Sequence, residues 1–472
     1  MVCCGSLMAS PLRPIEEACY WLAKHQRPAL PPLRGRREAD LAIIGAGFTG
    51  LWTAHFLKEL EPSLEIVVVE QATAAYGASG RNAGMVLDTI DHSHDLAISH
   101  FGEAEAQRLA TLGRDNVDEL LATLAARGID CDVERTGTLI VALHDAHLEG
   151  FRADVERARA FGIDDLQVLD AGEVRQRLHS ERYLGGLFNP HGAVLDPAAL
   201  VEGLARDVRA RGVSIYEQTR VTSLERDGER VRLRTLAGEP GEVVAKTAIL
   251  ATNAYSHLLL PSLSRYFVPL YDYILVSEPL DRAQRAALGW RGREGVNDVR
   301  TFFNYYRLTK DDRVLWGSSD ASYYGDNRVD ASCDHSERHY AALRASFAAH
   351  FPALAGLAFP YAWGGPIDAT TRFTPFFGTA HGGRVLYGLG FTGHGIATTH
   401  LAGKLLAHLG LAKPSALLDL ALVRKKPFPY PPEPFRSWGV AAVTRDLRRL
   451  DEGGTPSLLL RALDLLGIGL SS

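Results

Sequence analysis

"LAIIGAGFTGLWTAHFL", Leu41–Leu57, passes from a short apolar run through glycines at 45, 47 and 50 into a helical pattern. In this spacing Gly45 permits a tight turn, Gly47 lets backbone approach a pyrophosphate, and Gly50 lets the helix pack closely on the strand. The pyrophosphate would lie against Phe48 and Thr49, at a helix N-terminus whose free N–H groups and dipole favour an anion. The pattern predicts a strand over Asp40–Gly45, a helix over Phe48–Leu60 and a second buried strand over Ile66–Glu70, a βαβ unit of dinucleotide-binding size. Glu70 stands 20 residues after Gly50. A carboxylate there accepts hydrogen bonds from an adenosine ribose and repels a 2′-phosphate, which disfavours NADP. The turn alone does not separate NAD from FAD.

The rest of the composition narrows the class. The chain has 472 residues, 46% hydrophobic and 23% charged, with a net charge of −5 and both signs interspersed. That is globular composition, and it lacks the basic footprint of a nucleic-acid binder. No apolar stretch reaches the roughly 18 residues that span a bilayer. The five cysteines form no C-x-x-C pair, and no secretory signal precedes them, so a reducing, cytoplasmic setting is expected. Residues 1–37, rich in proline and arginine, read as an extended arm. The last segment, 413–472, carries a proline-rich stretch and an apolar helix, expected to dock on the protein itself.

After Glu70 a second loop of small residues runs from Gln71 to Val86, "QATAAYGASGRNAGMV". Gly77, Ala83 and Gly84 let backbone pass close to a flat, bulky group. Ser79 and Arg81 can bind phosphate or a ring carbonyl, with Asn82 and Met85 beside them. A plain NAD site calls for no such loop. The chain returns at "KTAILATNAYS", which places Ala251 and Thr252 at the end of a buried strand, beside the nucleotide. A second G-x-G-x-x-G follows in "GLGFTGHGIATTHLAGKLL", with Gly388, Gly390 and Gly393. No acid-ended strand follows it, since position 413 is a lysine, so it does not complete a second dinucleotide site. It does offer a helix N-terminus at Gly390, Phe391, Thr392, Gly393, His394 and Gly395, suited to the negative pyrimidine edge of a reduced flavin. One FAD held at both ends accounts for both turns, with His394 a donor at the flavin edge.

These stretches, together with "NYYRLT" (304–309) and "YAWGGPIDATTRFTPFFG" (361–378), resemble the D-amino-acid-oxidase-type FAD oxidoreductases, and most closely the gamma-glutamylputrescine-oxidase-like amine oxidases. The resemblance runs from about Tyr20 to Leu409. It implies an α/β (mixed α+β) architecture: a discontinuous Rossmann-like FAD-binding domain over 38–95, 190–260 and 370–412, and a mixed-sheet substrate domain over 96–189 and 261–369. It also implies that Val221 meets the adenine through its backbone. Two departures stand out. Sarcosine oxidases bind flavin covalently through a late cysteine, whereas no cysteine follows Cys333 here, so the FAD is expected to be non-covalent. They also hold the substrate carboxylate with a lysine soon after the second turn, where this chain has Ile396-Ala397.

The expected reaction is oxidation of an amine or amino-acid-like small molecule: hydride passes from the α-carbon to flavin N5 and the imine hydrolyses. Tyr305, Tyr306 and Trp363 are expected to wall the substrate cavity, with Phe302 a further candidate. Arg307 is expected to anchor an acid group of the substrate. Oxygen, giving hydrogen peroxide, is the first expectation for the oxidant and an electron carrier the second, because Arg313–Gly317 lacks the lysine that oxygen-using relatives place over the flavin. A non-catalytic flavoprotein subunit is the alternative of another class, suggested by the long tail. His92 and His94 alone make a poor metal site, and no metal is expected. The amine's identity and the oligomeric state stay open at this level.

Overall fold

The computed structural model describes residues 13–465 and 468. Two eight-stranded sheets carry the architecture. The first has a parallel core in the order 385–389, 239–250, 35–44, 66–69, 214–216. Its strands read as continuous apolar runs: Leu41–Ile44 and Ile66–Val69 are buried at every position, as a sheet covered on both faces requires. Strand 376–380 pairs antiparallel with 385–389 at one edge, and the hairpin 220–227/230–237 joins antiparallel to 239–250.

The second sheet has the order 361–369, 268–276, 314–323, 304–308, 295–298, 138–142, 185–189, 167–170, antiparallel except where 295–298 meets 138–142. Its outer face packs on the helix Glu337–His350 around Tyr306, Trp316 and Phe347. The other face turns toward the first sheet's glycine loops.

The helix after the first glycine turn spans Phe48–Leu60, as the pattern predicts. It packs against the helix after the second turn, Gly395–Gly410. Gly403 makes this possible, because a Cβ there would lie 2.6 Å from Trp52 Cβ. The first strand is longer than the sequence suggested, Gly35–Ile44, because Gly35–Ala39 pair with Gly241–Ala245.

Two expectations are corrected. The arm is not wholly extended: Ile15–Ala18 and Tyr20–Lys24 are helical, and Trp21 is buried with its indole N–H on Asn82 O at 2.9 Å. Residue 96 is not where the packing changes. Helix Glu103–Ala126 lies on the cofactor side, where Asn116 donates to Ala397 O at 2.7 Å and bonds His400 at 2.8 Å. Beyond it the chain forms the helices Asp145–Ala160 and Ala171–Arg177, with a strand at Gln167–Asp170 between them.

Candidate active site

The two glycine turns and the 71–86 loop open onto one cavity of about 1150 Å³. Of the residues expected to hold the cofactor, all but Gly50 and Gly390 line it. Those two shape the turns instead. A Cβ on Gly50 would sit 2.0 Å from Gly45 O, and one on Gly390 would sit 2.4 Å from Thr370 Cγ2. Gly390 also has φ +84° and, with Phe391, donates its N–H to the buried carboxylate of Asp368. Burial pushes Asp368 up to about 7, against the pull of those N–H bonds. Sequence reasoning missed this residue, although an acid in the apolar run "GGPIDATT" was a signal.

Neither helix that follows a glycine turn is capped by the side chain of its own N-cap residue, Gly47 or His394. Gly45 has φ +104°, and a Cβ would lie 2.6 Å from Ala251 O. A Cβ on Gly47 would meet Ser79 Oγ at 2.8 Å, the oxygen that accepts Phe48 N–H at 2.9 Å. Glu70 accepts the N–H groups of Ala46 (2.9 Å) and Ala72 (3.0 Å), and burial raises its proton affinity. Arg81 is ion-paired with Asp334 at 2.9 Å and donates to Tyr76 O at 2.6 Å, yet its Nη2 is buried without a partner. An orphaned guanidinium nitrogen, two helix N-termini and glycines that keep backbone within reach suit a diphosphate-bearing flavin. His394 stacks on His92 with ring centroids 3.8 Å apart. Burial pushes their proton affinities down, to about 4 and about 3, so both rings are neutral.

Beyond the cradle, one cross-strand row of the second sheet forms the opposite wall. Trp363 pairs with Ile274, Ile274 with Gly317, Gly317 with Tyr305, Tyr305 with Asn297, and Asn297 with Ile140. Directly opposed residues share a face, and every member but Gly317 lines the cavity. Gly317 lies beneath the Tyr305 ring: a Cβ there would be 2.3 Å from ring carbons. The ring therefore lies across the strand and its hydroxyl reaches Asp272 at 2.5 Å. The Trp363 indole N–H donates to Arg81 O at 2.9 Å, joining this wall to the 71–86 loop. Phe302 also lines the cavity.

Tyr306 and Arg307 do not. Strand side chains alternate, so Tyr306 points to the opposite face, bonds Tyr183 Oη and stacks on Trp316 with centroids 4.4 Å apart. Arg307 shares Tyr305's face but lies past the cavity's edge, fully buried. There its guanidinium donates to Leu195 O (2.6 Å), Gly84 O (2.8 Å) and Leu308 O (3.3 Å). It braces the Gly84 loop and touches no substrate space. Two arginines that line the cavity are paired with carboxylates: Arg300 with Asp298 at 2.6 Å, Arg114 with Asp165 and, at 3.8 Å, Asp88; Arg436 lines it too and donates to the neutral Asn327 Oδ1 at 2.7 Å and Pro431 O at 3.0 Å.

The tail closes the cavity. Phe428, Tyr430, Val440, Val443 and Leu447 face into it. The helix Phe435–Asp451 ends on a carboxylate that accepts Thr301 and Phe302 N–H, each at 2.8 Å.

A parallel sheet with glycine turns gripping both ends of one long cavity, faced by a mixed sheet, defines a dinucleotide-dependent flavoprotein. The profile of the "DAO: FAD dependent oxidoreductase" family matches residues 40–409, and the chain belongs to that family. It is an FAD-dependent oxidoreductase. It is 31% identical over 393 residues to a "Probable oxidoreductase OrdL" of Haemophilus influenzae, covering 82% of this chain and 86% of the relative. It is 31% identical over 371 residues to the "Gamma-glutamylputrescine oxidoreductase" of Escherichia coli, covering 78% and 83%. Among solved structures, glycine oxidase from Geobacillus kaustophilus superposes with a TM-score of 0.68 at 22% identity, covering 82% of this chain and 99% of that one; this is a likeness of fold. No helix among the described residues is long and apolar enough to cross a membrane.

Proposed function

We propose that the protein oxidises the carbon–nitrogen bond of an amine whose acid group is remote or absent. One observation carries this reading: past the cofactor cradle the cavity is walled by Trp363, Ile274 and Tyr305, and two of the arginines that line it, Arg300 and Arg114, are neutralised by carboxylates. The relative named gamma-glutamylputrescine oxidoreductase supports the same substrate class. FAD, when bound, would supply the acceptor for one hydride, which carries the two electrons of the oxidation.

The chain's part is to hold, orient and dry the substrate. Gly45, Gly47, Ser79 and the two helix N-termini would hold the diphosphate and pyrimidine ends, Glu70 the ribose, and Arg81 Nη2 an oxygen of the cofactor. Trp363 and Tyr305 bound the reacting end, and the tail residues Val440, Val443 and Leu447 exclude water. The substrate loses a hydride from carbon and a proton from nitrogen. The resulting imine takes up water and gives a carbonyl product and ammonia or a smaller amine.

Oxygen, reduced to hydrogen peroxide, is the final acceptor in this reading. An electron carrier is the second reading, favoured by the absence of lysine from Arg313–Gly317. The cytoplasm is the compartment assigned, in keeping with the buried free thiols of Cys19, Cys131 and Cys333. Amines, amino acids and α-hydroxy acids added anaerobically to the purified yellow protein test the proposal. Bleaching of the visible flavin band by amines is expected. Bleaching by α-hydroxy acids alone would refute it, and hydrogen peroxide released on readmitting air would separate the two oxidants.

A further inference from the structure

The wall opposite the cradle holds a carboxylate outside the set of residues assigned to the cofactor. Asp272 lies in the strand Val268–Val276, "VPLYDYILV", an acid amid apolar neighbours. It lines the cavity, accepting Tyr273 N–H (2.7 Å) on Oδ1 and the Tyr305 hydroxyl (2.5 Å) on Oδ2. Two features aim it inward. On one side its partner is Gly365, which has no side chain to cover it. On the other side the register slips: Tyr271 pairs with Ser322 and Tyr273 with Ser318, so Asp272 faces a bulge. Bulges re-aim side chains at sites. Among the described residues no lysine, arginine or histidine lies within ion-pair distance of Asp272, whereas Asp298, Asp88 and Asp334 all have arginine partners.

A half-buried carboxylate facing a cavity and lacking a countercharge is costly unless a cation arrives. We infer that Asp272, held by Tyr305, is the docking point for the ammonium group of the substrate and accepts its proton. This rests on the proposed amine oxidation and adds the residue that selects a cation. The proton moves from R2CH–NH3+ to the Asp272 carboxylate, giving R2CH–NH2 and a neutral carboxylic acid. The freed nitrogen lone pair is what loss of a hydride from the adjacent carbon requires. Burial pushes Asp272 up to about 7, and the Tyr305 and Tyr273 hydrogen bonds oppose that shift, so the group stands poised to take a proton near neutrality. The other charged groups facing this point are Asp320 on the neighbouring strand and Arg81 across Gly365, whose Cδ would be 3.3 Å from a Cβ there.

The test uses FAD-loaded enzyme and probes that cannot be oxidised at carbon: tert-butylamine, tert-butanol and pivalate, titrated by calorimetry. The wild type should bind tert-butylamine at least tenfold more tightly than tert-butanol and should disfavour pivalate. Asp272→Asn keeps the size and the Tyr305 partner and should abolish the preference for the amine while tert-butanol binding stays the same. Tyr305→Phe keeps the ring over Gly317 but removes a bond that lowers the proton affinity of Asp272. The acid limb of tert-butylamine binding should therefore move to higher pH, which a purely structural role would not produce. An amine preference that survives Asp272→Asn, an acid limb unmoved in Tyr305→Phe, or a wild type with no preference would each overturn the inference. A wild type that prefers tert-butylamine but is bleached by no amine would leave the ammonium site standing and refute the oxidation reading instead.

Discussion

Arg307→Ala separates a substrate anchor from a structural brace. The guanidinium makes bonds to the carbonyls of Leu195 at 2.6 Å and Gly84 at 2.8 Å, and lies over the Trp21 ring at 5.6 Å. Gly84 O keeps a second donor, Leu195 N–H at 2.8 Å. The exposed cost of truncation is thus one charged hydrogen bond, about 1.5–3 kcal/mol, and one stranded buried carbonyl at Leu195, about 1–3 kcal/mol, together roughly 3–6 kcal/mol. Burial already pushes the Arg307 proton affinity down to about 10, so part of this is offset by no longer burying a charge. An unfolding entropy of about 2.1 cal/mol/K per residue makes 1 kcal/mol worth roughly 1 °C for a chain of this size, if it unfolds as one unit. A fall in Tm of about 3–6 °C is expected, with weaker FAD retention because the Gly84 loop loosens. KM for an acid-bearing substrate, measured on the flavin-loaded fraction, should hold constant. The assay is a thermal melt and flavin content alongside steady-state kinetics. A tenfold rise in KM with unchanged melt and flavin content would put Arg307 in the substrate site and refute the reasoning.

Further outcomes follow from the same geometry. Acid precipitation should release all yellow colour into the supernatant, and Glu70→Ala should weaken FAD binding by about 1–3 kcal/mol through the lost ribose acceptor, read by flavin fluorescence on dilution; colour held in the pellet would show a covalent link. Asp451→Ala removes the acceptor of two backbone N–H groups and should expose the 299–303 loop to limited proteolysis while raising KM several-fold; an unchanged digest would mean that the tail does not hold that loop. The histidine pair sets a pH dependence. Folded His92 and His394 protonate only near pH 3 and 4, whereas unfolded histidine does so near 6.5, so between those values the unfolded state binds more protons. Stability should fall as pH drops from about 6.5 toward 4, and His92→Asn with His394→Asn should flatten that slope in denaturant titrations.

Much of the cofactor site was legible because its determinants are local. A glycine at a positive φ, an acid ending a strand and a helix beginning at a turn are spelled within about 30 residues of chain, the size of one βαβ unit. Gly45, Gly47 and Glu70 stand where that grammar puts them. The substrate wall was not local. Tyr305, Tyr306 and Arg307 are consecutive, and only the sheet's docking settles which of them meets the cavity. The strand period rules out Tyr305 and Tyr306 on one face, and the cavity's edge leaves Arg307 beyond it. Asp272 was overlooked because its partner lies 33 residues away on a strand that is not its neighbour.

By itself the sequence determined the class of cofactor and the parallel unit with its glycine turns, since backbone conformation and helix-end charge act over a few residues. Only the tertiary structure decided which side chains face the cavity and what covers them. The helix Phe435–Asp451 lies in the tail, and the apolar surface it buries belongs to the cavity. Burial is a property of two surfaces meeting, and the second surface lies more than a hundred residues away along the chain from Phe302 and its loop, brought there by the Asp451 clamp.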